Sequence, residues 1–222
     1  MKIQIIGDSF GLPRFNNKTN SIEVEFENTY PELLRKELRL FYPNEDIIIV
    51  NSSKRFNNSL FLVRNEIMET ILIQPEYIVL QVGIVDCWSR EPDTYIIEEF
   101  KGKNPWISKE EYFSNLDIFI SNCQKNIQGL KGIIVVNITK ASLEQYNKHF
   151  NSFGNTWDFN NELKTLKHKN KEILLADAYR EFSKNIERAL CSDGVHPSNY
   201  GNKLIANLVL EEICTNKKNS QF

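Results

Sequence analysis

A serine near the start of this chain and an aspartate–histidine pair near its end are the residues best suited to chemistry. Ser9 closes Gly7-Asp8-Ser9, directly behind the apolar run Ile3–Ile6. A serine at the carboxyl end of a strand, where a helix can begin, offers its backbone N–H to developing negative charge. Its hydroxyl is a poor nucleophile until a neighbouring base takes the proton. Three histidines could serve: His149, His168 and His196. His168 lies in a lysine-rich stretch and reads as a solvated residue, and His149 has no carboxylate near it in sequence. His196 stands in Ser192-Asp193-Gly194-Val195-His196-Pro197, where Asp193 can orient the imidazole and Pro197 fixes the backbone behind it. Each motif also has a plainer reading. Gly, Asp and Ser form turns that end strands, and Asp-Gly-Val-His-Pro can be a polar turn before a helix.

The elements that must bring these ends together alternate along the chain. Short Ile/Val-rich runs at Ile3–Ile6, Ile47–Val50, Tyr77–Val82, Gly132–Asn137 and Glu172–Leu175, mostly uninterrupted by polar residues, have the character of strands buried on both faces. Helical patterns fall between and after them, at Tyr30–Leu40, Leu60–Ile73, Lys109–Ile127, Asp158–Lys169 and Tyr200–Cys214. Pro31 suits a first helical turn. Ser108 with Glu111 forms a capping box. The order predicts a doubly wound, three-layer α/β domain over residues 1–214, with 215–222 a frayed tail. Long loops are expected at Cys87–Ile107 and Lys140–Thr156, leaving the sheet edge where open parallel sheets bind ligands. They carry Trp88, Tyr95, Phe100, Trp106, Tyr146, Phe150 and Phe153, which either pack the loops down or stack on a sugar.

Bulk properties narrow the classes. With 27 basic and 29 acidic residues the formal net charge is −2, which gives no basic surplus for nucleic acid. Four dispersed cysteines, Cys87, Cys123, Cys191 and Cys214, form no clustered metal motif and suit a reducing compartment. No apolar run reaches the ~18 residues of a membrane span. The start of the chain is too short in apolar residues for a secretory signal. The expectation is a cytoplasmic protein with no metal and no cofactor. Its oligomeric state is left open.

Taken together, Gly7-Asp8-Ser9 behind the first strand and Asp193-x-x-His196-Pro197 before the last helix resemble the first and last blocks of the SGNH/GDSL hydrolases, over essentially the whole chain. The resemblance implies a flavodoxin-like α/β/α sandwich with five parallel strands. It also implies metal-free esterase chemistry on a small-molecule or saccharide ester, with Ser9, His196 and Asp193 as nucleophile, base and orienting acid. An acyltransferase using the same residues is the alternative. The middle blocks depart from the family. Ser53, in Asn51-Ser52-Ser53, stands where the family has a glycine whose N–H meets the oxyanion. Gly83-Ile84-Val85-Asp86 stands for Gly-x-Asn-Asp, so Val85 replaces the asparagine donor. Losing such a donor lowers the rate by roughly 10²–10³. Three outcomes are open: Asn51 or Arg90 supplies the donor, the backbone donors of Ser9 and Ser53 act alone and slowly, or the site binds sugar without turnover. Asp8 and Asp86 are expected to tie loops together. Asp86, Trp88, Arg90 and Trp106 are the candidate substrate contacts. The string Gly83–Cys87 also resembles a subgroup associated with bacterial surface-polysaccharide synthesis.

Overall fold

The computed structural model describes residues 1–88, 107–149, 151–170 and 172–219. Five parallel strands form its main sheet: β1 (Lys2–Gly7), β4 (Ile48–Asn51), β5 (Tyr77–Gln81), β6 (Gly132–Val136) and β7 (Ile173–Ala176). Their order in the sheet is β4-β1-β5-β6-β7, with β1 pairing β4 on one side and β5 on the other. The three central strands are buried almost along their whole length. That is why their sequences are near-continuous apolar runs: helices cover both faces. On one face α1 (Tyr30–Phe41) packs against α10 (Asn199–Asn219). The other helical layer contains α3 (Ile67–Ile73) and α5 (Lys109–Asn126), in contact with each other, with α7 (Ser152–Lys169) lying against β7. The fold is a three-layer α/β/α sandwich.

The structure departs from the sequence reading in five places. The segment expected as one helix over Leu60–Ile73 is α2 (Ser59–Phe61), a π-helical turn Leu62–Glu66, and α3. Within it Glu66 is fully buried and accepts from Lys54 Nζ at 2.7 Å. Helix α7 begins at Ser152, inside the loop expected at Lys140–Thr156, and α6 (Leu143–Lys148) lies there too, capped by Ser142 Oγ on the Gln145 N–H. Two short helices, α8 (Ala178–Lys184) and α9 (Ile186–Ala189), follow β7. A small antiparallel hairpin, β2 (Arg14–Asn16) with β3 (Ser21–Val24), stands apart from the main sheet. Finally, the expected frayed tail is helical as far as Asn219. Asn216 Oδ1 accepts from Tyr77 Oη at 3.0 Å, and Lys217 Nζ sits 4.0 Å above the Tyr42 ring.

Candidate active site

The chain reverses tightly at the carboxyl end of β1. The Asp8 N–H donates to Gln81 O at 3.1 Å, which ties the turn to β5. The buried Asp8 carboxylate accepts from Phe10 N at 2.9 Å and from Gln81 Nε2 at 3.2 Å. This caps Ser9–Gly11, a single 3-10 turn. Only this turn, not a longer helix, begins behind Ser9. One turn has too few aligned peptides to supply a substantial macrodipole, so the backbone N–H of Ser9 is the local donor. No described residue accepts a hydrogen bond from it.

The other half of the site is a turn closed on itself before α10. The Cys191 N–H donates to His196 O at 2.8 Å, and Gly194 N–H to Cys191 O at 2.9 Å. Gly194 has φ +72°, and a Cβ there would collide with the Ser142 hydroxyl. Glycine alone meets both conditions without strain. Asn202, one turn into α10, donates to Pro197 O and Ser198 O and accepts from Tyr30 N at 2.8 Å. It thus locks the base of the turn to the start of α1.

These two turns meet. Ser9 Oγ lies 2.8 Å from His196 Nε2, across 187 positions of sequence. His196 Nδ1 lies 2.6 Å from Asp193 Oδ2. The second carboxylate oxygen accepts from the N–H groups of Val195 at 2.9 Å and His196 at 3.0 Å. Burial pushes the Asp193 carboxyl up, but the bond from His196 and these backbone donors outweigh it and hold the group well below the usual carboxylate range. An ionised Asp193 places the ring proton on Nδ1 and leaves Nε2 to accept from the serine. The His196 ring is also packed against Phe10, with centroids 5.5 Å apart. Chemically the arrangement can take a proton from the hydroxyl as it attacks and return it to a leaving group.

The expected oxyanion donors of the β4 loop are corrected by this geometry. The Ser53 N–H donates to Asn51 Oδ1 at 3.1 Å, an Asx turn. The Asn51 amide in turn donates to Gly11 O at 2.9 Å. The neighbouring N–H groups of Ser52 and Lys54 bond to Ile5 O and Gly7 O. The Ser53 side chain packs so closely on Gly11 that any Cβ at position 11 would strike it. Val85 is buried in the core and carries no donor.

The proposed substrate contacts fare similarly. Asp86 is fully buried and accepts from both Ser59 N (2.9 Å) and Ser59 Oγ (2.6 Å), so it joins α4 (Ile84–Cys87) to α2 and does not face a ligand. Trp88 is 3% exposed, packed on Tyr146 and His149 with ring centroids at 5.9 and 4.8 Å. Its ring has no open face for a sugar. Arg90 and Trp106, with Tyr95, Phe100 and Phe150, lie outside the described residues.

Several site residues escape sequence reasoning. Arg14 Nη2 reaches Asp193 Oδ2 at 2.7 Å. Gln145 Nε2 donates to Asp193 O at 2.8 Å, docking α6 on the turn. Nothing in the spacing of Arg14 or Gln145 announces these contacts. Gln81 did leave a signal: it is the polar interruption in the apolar run Tyr77–Val82. A cavity of about 510 Å³ opens beside the site, lined in part by Arg14, Phe15, Lys18, Arg55 and Asp193.

No family model matches the chain, and no curated protein does. Solved structures do. Axe2, an acetylxylan esterase from Geobacillus stearothermophilus, superposes with a TM-score of 0.73 at 22% identity, over 96% of this chain and 93% of that one. LAE5, an alpha/beta hydrolase enzyme from the metagenome of Lake Arreo, Spain, superposes with a TM-score of 0.72 at 22% identity, over 95% and 94%. At this identity the likeness establishes a shared fold.

Proposed function

We propose that this chain is a serine esterase of the SGNH/GDSL type, acting on O-acyl esters of carbohydrate, acetyl esters foremost. The observation that supports it best is the unbroken series of short contacts from Ser9 Oγ through His196 to Asp193. Axe2, similar in fold, is named as an acetylxylan esterase. Its solved catalytic mutants replace a serine, an aspartate and a histidine, the last two three positions apart, as Asp193 and His196 are here. In the proposed reaction Ser9 Oγ attacks the ester carbonyl while His196 takes its proton. Asp193 holds the imidazolium, and the Ser9 N–H meets the oxyanion. The leaving alcohol takes the proton back, and water then attacks the acyl-enzyme by the same route. The resemblance of Gly83–Cys87 to the polysaccharide-associated subgroup supports a role for this activity in the synthesis of a surface polysaccharide. If a sugar hydroxyl replaces water, the same residues perform acyl transfer.

A second reading, sugar binding with little or no turnover, is favoured by one observation: Val85 and the engaged Ser53 and Asn51 leave the Ser9 N–H as the oxyanion donor on the described residues. One experiment separates the two. The chain is treated with a fluorophosphonate, its modified peptide mapped, and hydrolysis of 4-nitrophenyl acetate followed for wild type, Ser9→Ala and His196→Ala. Labelling at Ser9, with activity reduced at least 10³-fold in both variants, is expected. An unlabelled Ser9, or variants as active as wild type, would falsify the esterase reading.

A further inference from the structure

We propose that Arg14 is a positioning residue of the site: it pins the Asp193 carboxylate beneath the imidazole and attenuates the negative charge that Asp193 lends to the ring. The proposal rests on the reading of Asp193 and His196 as the acid–base pair. A single oxygen, Asp193 Oδ2, receives both Arg14 Nη2 at 2.7 Å and His196 Nδ1 at 2.6 Å. With the two backbone donors on Oδ1, the carboxylate has donors on all sides and cannot rotate away from the ring. A cation in contact with the same oxygen also opposes the stabilisation of the imidazolium.

The geometry is built around this one contact. Arg14 Nε is buried and has no partner among the described residues, so the guanidinium is directed at Asp193 and not at a wider network. Hairpin β2–β3 is held to the same turn by separate bonds: Asn16 Nδ2 to Ser192 Oγ at 2.8 Å, and Ser192 N to Glu23 Oε1 at 3.1 Å. The hairpin therefore keeps its place when Arg14 is changed. The other charged side chains around this turn are Lys18, Glu23 and Arg55 on the hairpin side, and Glu144, Lys148 and Glu187 on the α6–α9 side. None of these is in ion-pair contact with Asp193 among the described residues; Arg14 is.

The test compares wild type, Arg14→Met and Arg14→Lys by NMR titration of the His196 ring, assigned against His149 and His168 with a His196→Gln variant. The pH dependence of kcat/KM on 4-nitrophenyl acetate is followed alongside. In Arg14→Met the ring midpoint is expected to rise by roughly half a pH unit to one unit, carrying the acid limb of the rate profile with it. The value of kcat is expected to fall about tenfold, with KM nearly constant. Arg14→Lys should return the midpoint, because the charge is kept, while kcat recovers only in part, because an ammonium lacks the planar fork. A merely structural arginine would lower thermal stability and leave the midpoint where it was; that result overturns the proposal. The ring titration needs no turnover, so it is decided even if Ser9 proves unreactive, which would instead sink the esterase reading.

Discussion

At the scale of single residues the site depends on atoms held in narrow tolerance. Gly194 illustrates it. Its φ of +72° and its contact with Ser142 exclude any side chain, and it lies between Asp193 and His196. Gly194→Ala is expected to lower kcat/KM on an acetyl ester at least tenfold, since left-handed backbone in a non-glycine residue costs about 1–2 kcal/mol before any clash. The double variant Gly194→Ala/Ser142→Ala removes the clash but not the backbone cost, so partial recovery is expected; full recovery would refute the conformational argument. Ser9, Asp193 and His196 were legible because each sits at a short, fixed offset from a strand end or a turn residue. Arg14 was not, because its partner lies 179 positions away and only the folded hairpin brings them together. Asn51 and Ser53 were misread for a related cause: sequence shows that donors exist, but not that they bond to each other.

At the scale of elements, α4 hangs on one buried carboxylate. Asp86 Oδ1 takes both Ser59 donors, and Asn115 of α5 donates to the same Ser59 hydroxyl at 3.1 Å. Asp86 Oδ2 has no hydrogen-bond partner among the described residues. Burial pushes this carboxyl up to about 6, against the bonds from Ser59; in an unfolded chain an aspartate titrates near ~3.9. Between those values the folded chain holds a proton that the unfolded chain has lost. Stability therefore falls as pH rises through that window, by on the order of 3 kcal/mol, and the full loss stands above it. Asp86→Asn keeps an acceptor for Ser59 and abolishes the charge. Its melting temperature relative to wild type should climb from pH 4 to pH 7.5; a constant difference would show that Asp86 is not the titrating group. Elements with a strong period were readable in advance, while hairpin β2–β3 was not. Its strands are three and four residues long and carry Arg14, Asn16, Ser21 and Glu23, which mask any alternation.

At the scale of the whole molecule, the three-layer parallel architecture follows from apolar runs buried on both faces and alternating with helices, and that much was open to the sequence. The length of α10 was not, because Thr215–Asn219 is polar and reads as a tail. Its anchors are tertiary: Tyr77 on Asn216, and Tyr42 with Glu45 on Lys217. Deleting residues 215–222 is expected to lower the melting temperature by about 4–8 °C, the equivalent of roughly 2 kcal/mol in a chain of this size; an unchanged melt would return the segment to the status of a frayed end. The span of 187 positions between Ser9 and His196 has a consequence in time as well as space. During translation the Ser9 hydroxyl emerges long before residue 196, and in the proposed triad it waits without its base until that residue has left the ribosome. Fragments that stop short of residue 196 are thus expected to hold an unactivated alcohol. In refolding, the return of serine labelling is expected to mark the moment the two turns find each other, with earlier local folding leaving no trace in that signal.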